Sequence, residues 1–190
     1  NWCVAFLSIV TYGAVAVPIL YDFNGEQIDN IIAHSESKLL LCGKATKERL
    51  TQTDADIMID IAVWNSFDGK DSVIGKIFAA AEAAFNKKYP YGVKPEHIEF
   101  RREDPESLAL LSYTSGSTGN SKGVMLPYRS LWSNVLFADE KLYMPEGSRI
   151  LSLLPLAHMY GFSFEFLYEF CIGCHLNFLT RVPSPAVIMG

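Results

Sequence analysis

The sequence predicts an α/β fold with a mainly parallel sheet and flanking helices. Short apolar runs typical of buried strands alternate with segments in which apolar residues recur every three or four positions. Strands and helices that alternate at this spacing are typical of βαβ units. In addition, a segment rich in glycine and hydroxyl residues directly follows one apolar run. Ligands of such sheets gather beyond the carboxyl ends of the strands, and this segment lies there.

Length and composition favour one globular domain over residues 1–190. The chain is 49% hydrophobic and 19% charged, which excludes an intrinsically disordered class. A net charge of −5 argues against a nucleic-acid-binding protein, because such proteins usually carry a basic face. Nothing indicates a disulfide framework, so a reducing, cytoplasmic environment is expected. The cysteines are Cys3, Cys42, Cys171 and Cys174.

The first apolar stretch, from Val4 to Leu20, is interrupted by Gly13 and Pro18. A helix that ends near Gly13, followed by a short buried strand up to Pro18, explains it better than a membrane span.

The next helix is predicted to begin at Asn24, which can cap it while Gln27 reaches back in a capping box. Its apolar residues share one face. That face comprises Ile28, Ile31 and Ile32. The elements predicted next are a strand over Lys38–Cys42, a short polar helix over Ala45–Leu50 and a strand over Ile57–Ile61.

Asp71 or Ser72 can cap a further helix, whose apolar stripe predicts that it is packed against the core. The stripe comprises Val73, Ile74, Ile77, Phe78, Ala81, Ala84 and Phe85. The segment from Lys87 to Glu106 contains several prolines and many charges and is predicted to be a loop.

The segment from Tyr113 to Leu126 is the most informative part of the chain. It follows the apolar run Leu108–Leu111 and consists mainly of glycines and hydroxyl residues, with one lysine. Glycines allow backbone N–H groups to converge on one ligand, and phosphate is the natural guest of such a cradle. The glycines are Gly116, Gly119 and Gly123, the hydroxyl donors are Thr114, Ser115, Ser117 and Thr118, and the charge is that of Lys122.

Two other interpretations of this segment are less suitable. A Walker A loop requires glycine before the lysine and serine or threonine after it, but Ser121 and Gly123 flank Lys122. A flexible Gly/Ser linker rarely combines spaced glycines, a lysine and a leading apolar strand.

The remaining chain continues the alternation of strands and helices. Pro127 is suited to open a helix, since its missing N–H costs nothing there. The predicted elements are a strand over Val124–Leu126, a helix that buries Leu131, Val135 and Ala138, a strand over Ile150–Leu154, an aromatic-rich helix over Phe162–Phe170 and a strand over His175–Leu179.

Two polar features near the end of the chain need interpretation. The pattern Cys171-x-x-Cys174-His175 is also used for haem attachment, but buried thiols beside a glycine turn are the commoner case. His158 follows a strand and a proline at the edge of the inferred cleft, so it is a candidate functional residue.

The glycine-rich segment closely resembles the phosphate-binding signature of the adenylate-forming superfamily, which includes acyl-CoA synthetases, luciferases and peptide-synthetase adenylation domains. A second match spans Leu154–Gly161, and a weaker one spans Tyr12–Pro18 with residues 27–42. The chain is most similar to long-chain fatty acyl-CoA synthetases. The resemblance implies part of the large N-terminal domain of a longer enzyme. The isolated piece is therefore expected to be inactive.

The resemblance also implies a reaction and its participants. A fatty acid attacks the α-phosphate of ATP, and the thiol of CoA then displaces AMP. Mg²⁺ accompanies the ATP, and Thr114 is similar to a family residue near Mg²⁺. The position of His158 corresponds to one near the acyl carboxylate, which implies that it orients the substrate. The residues implied in holding the β- and γ-phosphates are Thr114, Ser115, Gly116, Ser117, Thr118, Gly119, Lys122 and Gly123.

Other functions remain open at this stage. The alternatives are an adenylation domain for amino acids or aryl acids and a relative that binds nucleotide or acyl chains without turnover. A peripheral membrane contact would suit a long-chain substrate, although no basic amphipathic helix supports it. The sequence indicates neither the acyl chain length nor an oligomeric state.

Overall fold

The computed structural model describes residues 1–98, 104–114 and 122–179. Two compact units are present. The first is built from the described residues up to 98, apart from Pro18–Leu20, and the second from Pro18–Leu20 and the described residues from 104 onward.

The first unit contains four α-helices and three strands among its described residues. Gly13 ends the first helix in the left-handed conformation, with φ 87°, as the sequence predicted. The elements are α1 (Trp2–Tyr12), α2 (Gly25–Ser35), β1 (Leu39–Cys42), α3 (Lys44–Lys47), β2 (Ile57–Asp60), β3 (Asn65–Ser66), α4 (Val73–Lys88) and a 3₁₀ turn (Pro95–His97).

The second unit holds the glycine-rich segment and the second motif. Pro127 immediately precedes a helix, which confirms its predicted role. The described elements are β4 (Leu108–Thr114), β5 (Lys122–Pro127), α5 (Tyr128–Lys141), β6 (Arg149–Ser152), α6 (Met159–Phe162), a π-helical turn (Ser163–Leu167), α7 (Tyr168–Cys171) and β7 (His175–Phe178).

The α/β class is confirmed, but a mainly parallel sheet is not evident in the described strands. β1 pairs with β2, and β6 with β7, in parallel. β2 and β3, and likewise β4 and β5, pair in antiparallel fashion. The glycine-rich segment therefore connects the strands of a hairpin and does not lead into a crossover helix. Periodicity could not reveal this, because a short apolar run carries no information about the direction of its partner.

The predicted capping box of α2 is confirmed. The Asn24 side chain accepts from the Gln27 N–H, and the Gln27 side chain accepts from the Asn24 N–H, both at 2.9 Å. Deep burial of the apolar face confirms the predicted core residues of this helix. Ile28, Ile31 and Ile32 are each 1% exposed.

Asp29 ties α2 to the segment after α3. Its Oδ2 accepts hydrogen bonds from Thr51 N, Thr51 Oγ1 and Gln52 N at 2.9, 2.7 and 2.9 Å. Burial raises the pKa of Asp29, but these hydrogen bonds outweigh the burial, so the pKa lies below its ordinary value. The ionised carboxylate is thus the form that the fold stabilises.

Helix α4 forms where the sequence predicts it, but its predicted packing is not observed. Ser72 caps it, accepting from the Gly75 N–H at 3.0 Å. Gly75 is its one buried residue. Val73 and Ile77 are 75% and 57% exposed. The 3.6-residue period therefore predicted the helix and its apolar stripe correctly, while burial of that stripe depends on packing, which periodicity does not specify.

The second unit has its core where α5 meets α7. Val135, Ala138 and Tyr168 form a buried cluster. The hydroxyl of Tyr168 donates to the carbonyl of Leu142 at 2.6 Å, so this large side chain is buried with its polar atom satisfied. Met144, Phe164, Leu167 and Ile172 pack around the cluster.

Across the residues that the structure describes, no helix combines the length and the apolar character needed to cross a membrane.

Gly25 gives a direct test of the packing in the first unit. A Cβ at this position would lie 1.8 Å from the carbonyl oxygen of Arg49, which is backbone and cannot rotate away. We expect Gly25→Ala to destabilise the complete protein by about 3 kcal/mol or more, measured as a lower urea midpoint. Gly43→Ala is the matched control, because nothing lies within 4 Å of its Cβ position. Equal midpoints for the two variants would contradict the close contact.

Candidate functional site

The hairpin of β4 and β5 positions both ends of the glycine-rich segment. Thr114 and Lys122 are register partners at the end of the hairpin that segment 115–121 connects. Ala109 and Leu110 of β4 have no exposed surface, so this strand is anchored in the core. The pairing brings the two ends of segment 115–121 to neighbouring strands.

Both terminal residues of the hairpin are exposed. Lys122 is the first residue of β5, and Thr114 is the last residue of β4. An ammonium group and a hydroxyl group therefore flank segment 115–121, a combination suited to an anion. The predicted site residues within that segment lie outside the described residues. They are Ser115, Gly116, Ser117, Thr118 and Gly119.

Gly123 has a reason to be glycine that differs from the predicted one. The sequence suggested a backbone bend, but Gly123 lies within β5, opposite Tyr113. A Cβ there would lie 3.1 Å from Leu111 Cδ1 and 3.2 Å from Tyr113 Cζ. The absent side chain therefore lets the Tyr113 ring lie against the partner strand. Burial also raises the pKa of the Tyr113 hydroxyl above its ordinary value.

The described residues are compatible with Mg²⁺ but supply only part of a site. The Thr114 hydroxyl is an oxygen ligand of the hard type that Mg²⁺ prefers, and it stands at the exposed end of β4. Mg²⁺ usually keeps several waters and binds substrate phosphates together with one or two protein oxygens. A single exposed protein hydroxyl fits that pattern.

His158 caps helix α6. Its Nδ1 accepts a hydrogen bond from the Tyr160 N–H at 3.3 Å. Because an accepting Nδ1 carries no proton, a neutral His158 carries its proton on Nε2. The side chain is exposed. It can therefore donate an N–H to a carboxylate while its other nitrogen is held by the helix.

A tight turn holds His158 in its backbone position. The His158 N–H donates to the Pro155 carbonyl at 3.0 Å, and the Phe162 N–H donates to the His158 carbonyl at 2.8 Å. Gly161 lies so close to this turn that a Cβ would be 2.7 Å from the Pro155 oxygen. The glycine of the second motif is therefore required by close packing.

Glu165 is a site residue that sequence reasoning missed. It lies in the π-helical turn between α6 and α7. Its Oε2 accepts from Ser152 Oγ, Leu153 N and Leu154 N at 3.1, 2.6 and 2.7 Å. These residues end β6 and begin the connection that leads to His158. An available signal was the acid itself, within the otherwise largely apolar segment Phe162–Phe170.

Glu169 lies on the same helical segment and is 3% exposed. Its Oε2 has no hydrogen-bond partner within the part of the chain that the structure describes. Burial, and secondarily the neighbouring Glu165 carboxylate, raise the pKa of Glu169 to about 7, from an ordinary value of 4.5. Near neutral pH this buried group is therefore divided between its protonated and ionised forms.

The aromatic residues around the second motif divide between core and surface. Phe162, Phe166 and Tyr168 are almost completely buried, at 0%, 1% and 1% exposure. Tyr160 and Phe170 are 59% and 51% exposed. Core packing therefore accounts for the first three.

The cysteine pattern after α7 shows no sign of activated thiols. Cys171 is exposed and Cys174 is half-buried, and both are free thiols. Partial desolvation of the sulfur raises the pKa of each thiol, so the neutral thiol is favoured over the reactive thiolate.

Comparison with known proteins gives a consistent family assignment. The family model for AMP-binding enzymes matches residues 1–189. Human long-chain-fatty-acid–CoA ligase 6 is 29% identical over 192 aligned residues, covering 92% of this chain and 26% of the ligase. The nonribosomal peptide synthetase vlms of a Lecanicillium species is 30% identical over 148 residues, covering 78% of this chain and 2% of that protein.

The fold of this chain is similar to part of a solved structure. O-succinylbenzoate coenzyme A synthetase (MenE) from Bacillus subtilis, in complex with ATP and magnesium ion, aligns with a TM-score of 0.68. The alignment covers 99% of this chain and 43% of the synthetase at 19% identity, so it supports the fold alone. The chain spans about a quarter of the length of the human ligase, 26%.

The buried carboxyl of Glu169 predicts a pH dependence of stability. Since its pKa is higher in the folded than in the unfolded protein, the folded state binds more protons between pH 4.5 and about 7. Stability should therefore fall as pH rises through this range and change no further above it. Glu169→Gln removes the titration, and we expect the variant to be more stable than the wild type at pH 8, by about 2 kcal/mol.

The measurement is the urea midpoint of the complete protein at pH 5 and pH 8. Glu140→Gln is the control, because the Glu140 side chain is 69% exposed. The interpretation is wrong if Glu169→Gln and the wild type lose the same stability between the two pH values.

Proposed function

Because the chain belongs to the family of AMP-binding enzymes, we propose that its complete protein activates a long-chain fatty acid with ATP and transfers the acyl group to CoA. The observation that carries the proposal is the family match over residues 1–189, which includes the hairpin with Thr114 and Lys122 at its connected end. The similarity to a human long-chain-fatty-acid–CoA ligase supports this choice of acid and acceptor.

The reaction has two balanced steps. A carboxylate oxygen of the acid attacks the α-phosphorus of ATP, the bond to the bridging oxygen breaks, and pyrophosphate leaves with the electron pair. The thiol of CoA then attacks the carbonyl carbon of the acyl-adenylate, loses its proton, and AMP leaves. A free carboxylate is a poor electrophile, and adenylation supplies the leaving group that it lacks.

The hairpin residues would bind the part of ATP that leaves. Lys122 supplies a positive charge and Thr114 a hydroxyl at adjacent strand ends. Negative charge accumulates on the β- and γ-phosphates as the bond to the α-phosphate breaks, so fixed donors there stabilise the transition state. Bound with ATP, Mg²⁺ would neutralise part of this charge, and Thr114 is the described residue suited to hold it.

His158 would orient the acid. Its Nδ1 is engaged by the Tyr160 N–H, so the neutral imidazole presents Nε2–H to the exterior. A hydrogen bond from this group to one carboxylate oxygen would direct the other oxygen toward the α-phosphorus. The role proposed is positioning of the substrate and involves no proton transfer.

An amino-acid-activating adenylation domain is the second candidate. The similarity to a nonribosomal peptide synthetase, at 30% identity over 148 residues, favours it. Both candidates share the adenylation step and differ in the acid and in the acceptor.

The test of the proposed function is carboxylate-dependent exchange of labelled pyrophosphate into ATP by the complete protein. The panel contains fatty acids of graded length, aryl acids and amino acids. We expect exchange with long-chain fatty acids, followed by CoA-dependent release of AMP. Exchange with amino acids alone would replace the first candidate with the second. Exchange with no acid at all would contradict both.

Lys122→Ala tests the role of the hairpin. Removing the charge beside the leaving phosphates should lower kcat/KM for ATP by about a hundredfold, while KM for the acid changes little. The measurement is pyrophosphate exchange at varied ATP and at varied acid. Lys141→Ala is the control, since Lys141 is an exposed lysine paired with Glu140 on α5. Normal ATP kinetics in Lys122→Ala would contradict the assignment of Lys122 to the phosphates of ATP.

A further inference from the structure

The connection from β6 to α6 is held by a side chain that belongs to neither element. The N–H groups of Leu153 and Leu154 lie 2.6 and 2.7 Å from Oε2 of Glu165. We propose that Glu165 is a positioning residue: it fixes this connection so that His158 is held where it orients the acid. This role rests on the proposed function for its substrate, but the contacts are independent of it.

The contacts of Glu165 join the two ends of the chain segment that carries His158. From Leu154 the chain passes through the turn at Pro155 to His158, which caps α6. The helical segment then continues through the π-helical turn to Glu165, whose carboxylate returns to Leu153 and Leu154. Because both ends of the His158 segment are joined, His158 cannot shift without breaking one of these contacts.

The carboxylate is suited to this task because it accepts several hydrogen bonds at one atom. Ser152 Oγ is the third donor, at 3.1 Å. Hydrogen bonds to an ionised acceptor are roughly twice as strong as those between neutral groups. Ser152 is 3% exposed, so the anchor of this network lies in the core.

Gly161 also packs closely against the same connection. A Cβ at Gly161 would lie 2.7 Å from the Pro155 oxygen and 3.0 Å from Leu154 Cβ. The helix therefore touches the connection directly at Gly161, one turn before Glu165 holds it by hydrogen bonds. Packing at Gly161 limits how closely the helix can approach the connection, and the hydrogen bonds of Glu165 keep the two from separating.

Glu165 and Glu169 form a natural pair for comparison. Both carboxylates lie on the same helical segment, and Glu169 is the more deeply buried of the two. Glu165 accepts hydrogen bonds from the connection, whereas Oε2 of Glu169 accepts no hydrogen bond from any described residue. A variant of Glu169 therefore reports the effect of losing an acidic side chain here without releasing the connection.

The structural arm of the test is hydrogen–deuterium exchange on the complete protein. In Glu165→Ala, the amides of Leu153 and Leu154 should exchange at least about tenfold faster than in the wild type, because their acceptor is gone. Glu165→Gln keeps an acceptor oxygen and should retain most of the protection. Glu169→Gln should leave these amides unchanged. Unchanged protection in Glu165→Ala would overturn the proposal.

The kinetic arm separates positioning from a purely structural role. Glu165→Ala should lower kcat/KM for the acid by about tenfold to a hundredfold, with KM for ATP unchanged, and Glu165→Gln should recover most of it. If Glu165 acts through His158, the same change made in a His158→Ala background should cost little more. Fully additive losses in the double variant would overturn the positioning role even if the amide protection behaves as expected.

The two proposals fail in different ways. No acid-dependent exchange by the wild type overturns the proposed function and, with it, the orientation of an acid by His158. The exchange rates of Leu153 and Leu154 still decide whether Glu165 fixes the connection. A wild type that is active, with a Glu165→Ala variant that loses amide protection but keeps its acid kinetics, overturns the positioning role alone.

Discussion

The candidate site depends first on the antiparallel pairing of Thr114 with Lys122. Neither side chain needs to be buried to be well placed, because the strand that carries Thr114 is anchored through Ala109 and Leu110 in the core. The pairing fixes the positions of the two residues that flank segment 115–121. Charge and hydroxyl are then presented together at one edge, which is what a polyphosphate requires.

The helical segment after His158 contains two glutamates, Glu165 and Glu169, in different surroundings. Glu165 accepts three hydrogen bonds at one oxygen. Glu169 is buried, with one oxygen unpartnered among the described residues, and its pKa of about 7 favours the neutral acid far more than is usual. The first binds backbone amides of the connection between β6 and α6. The second is tolerated in the core because it can lose its charge.

Features that depend on interactions between neighbouring residues could be predicted from the sequence, whereas features that depend on contacts between distant residues could not. The capping box of Asn24 and Gln27 and the role of Pro127 follow from interactions within one helical turn, and both are confirmed. The direction of β5 and the exposure of α4 depend on partners distant in sequence, so periodicity alone could not supply them. Thr114, Lys122 and His158 could be proposed from motifs. For Glu165 the sequence offered only an acid in a largely apolar segment, because its partners Leu153 and Leu154 are distant in sequence and bind it through their backbone.

The close fit of Gly123 against Tyr113 has a consequence for how such a segment can vary among relatives. A slip of one residue in the pairing would bring a side chain into the space that the Tyr113 ring occupies, so the fit locks the register of the two strands. Insertions and deletions within β4 or β5 should therefore be rejected, because they would break this fit.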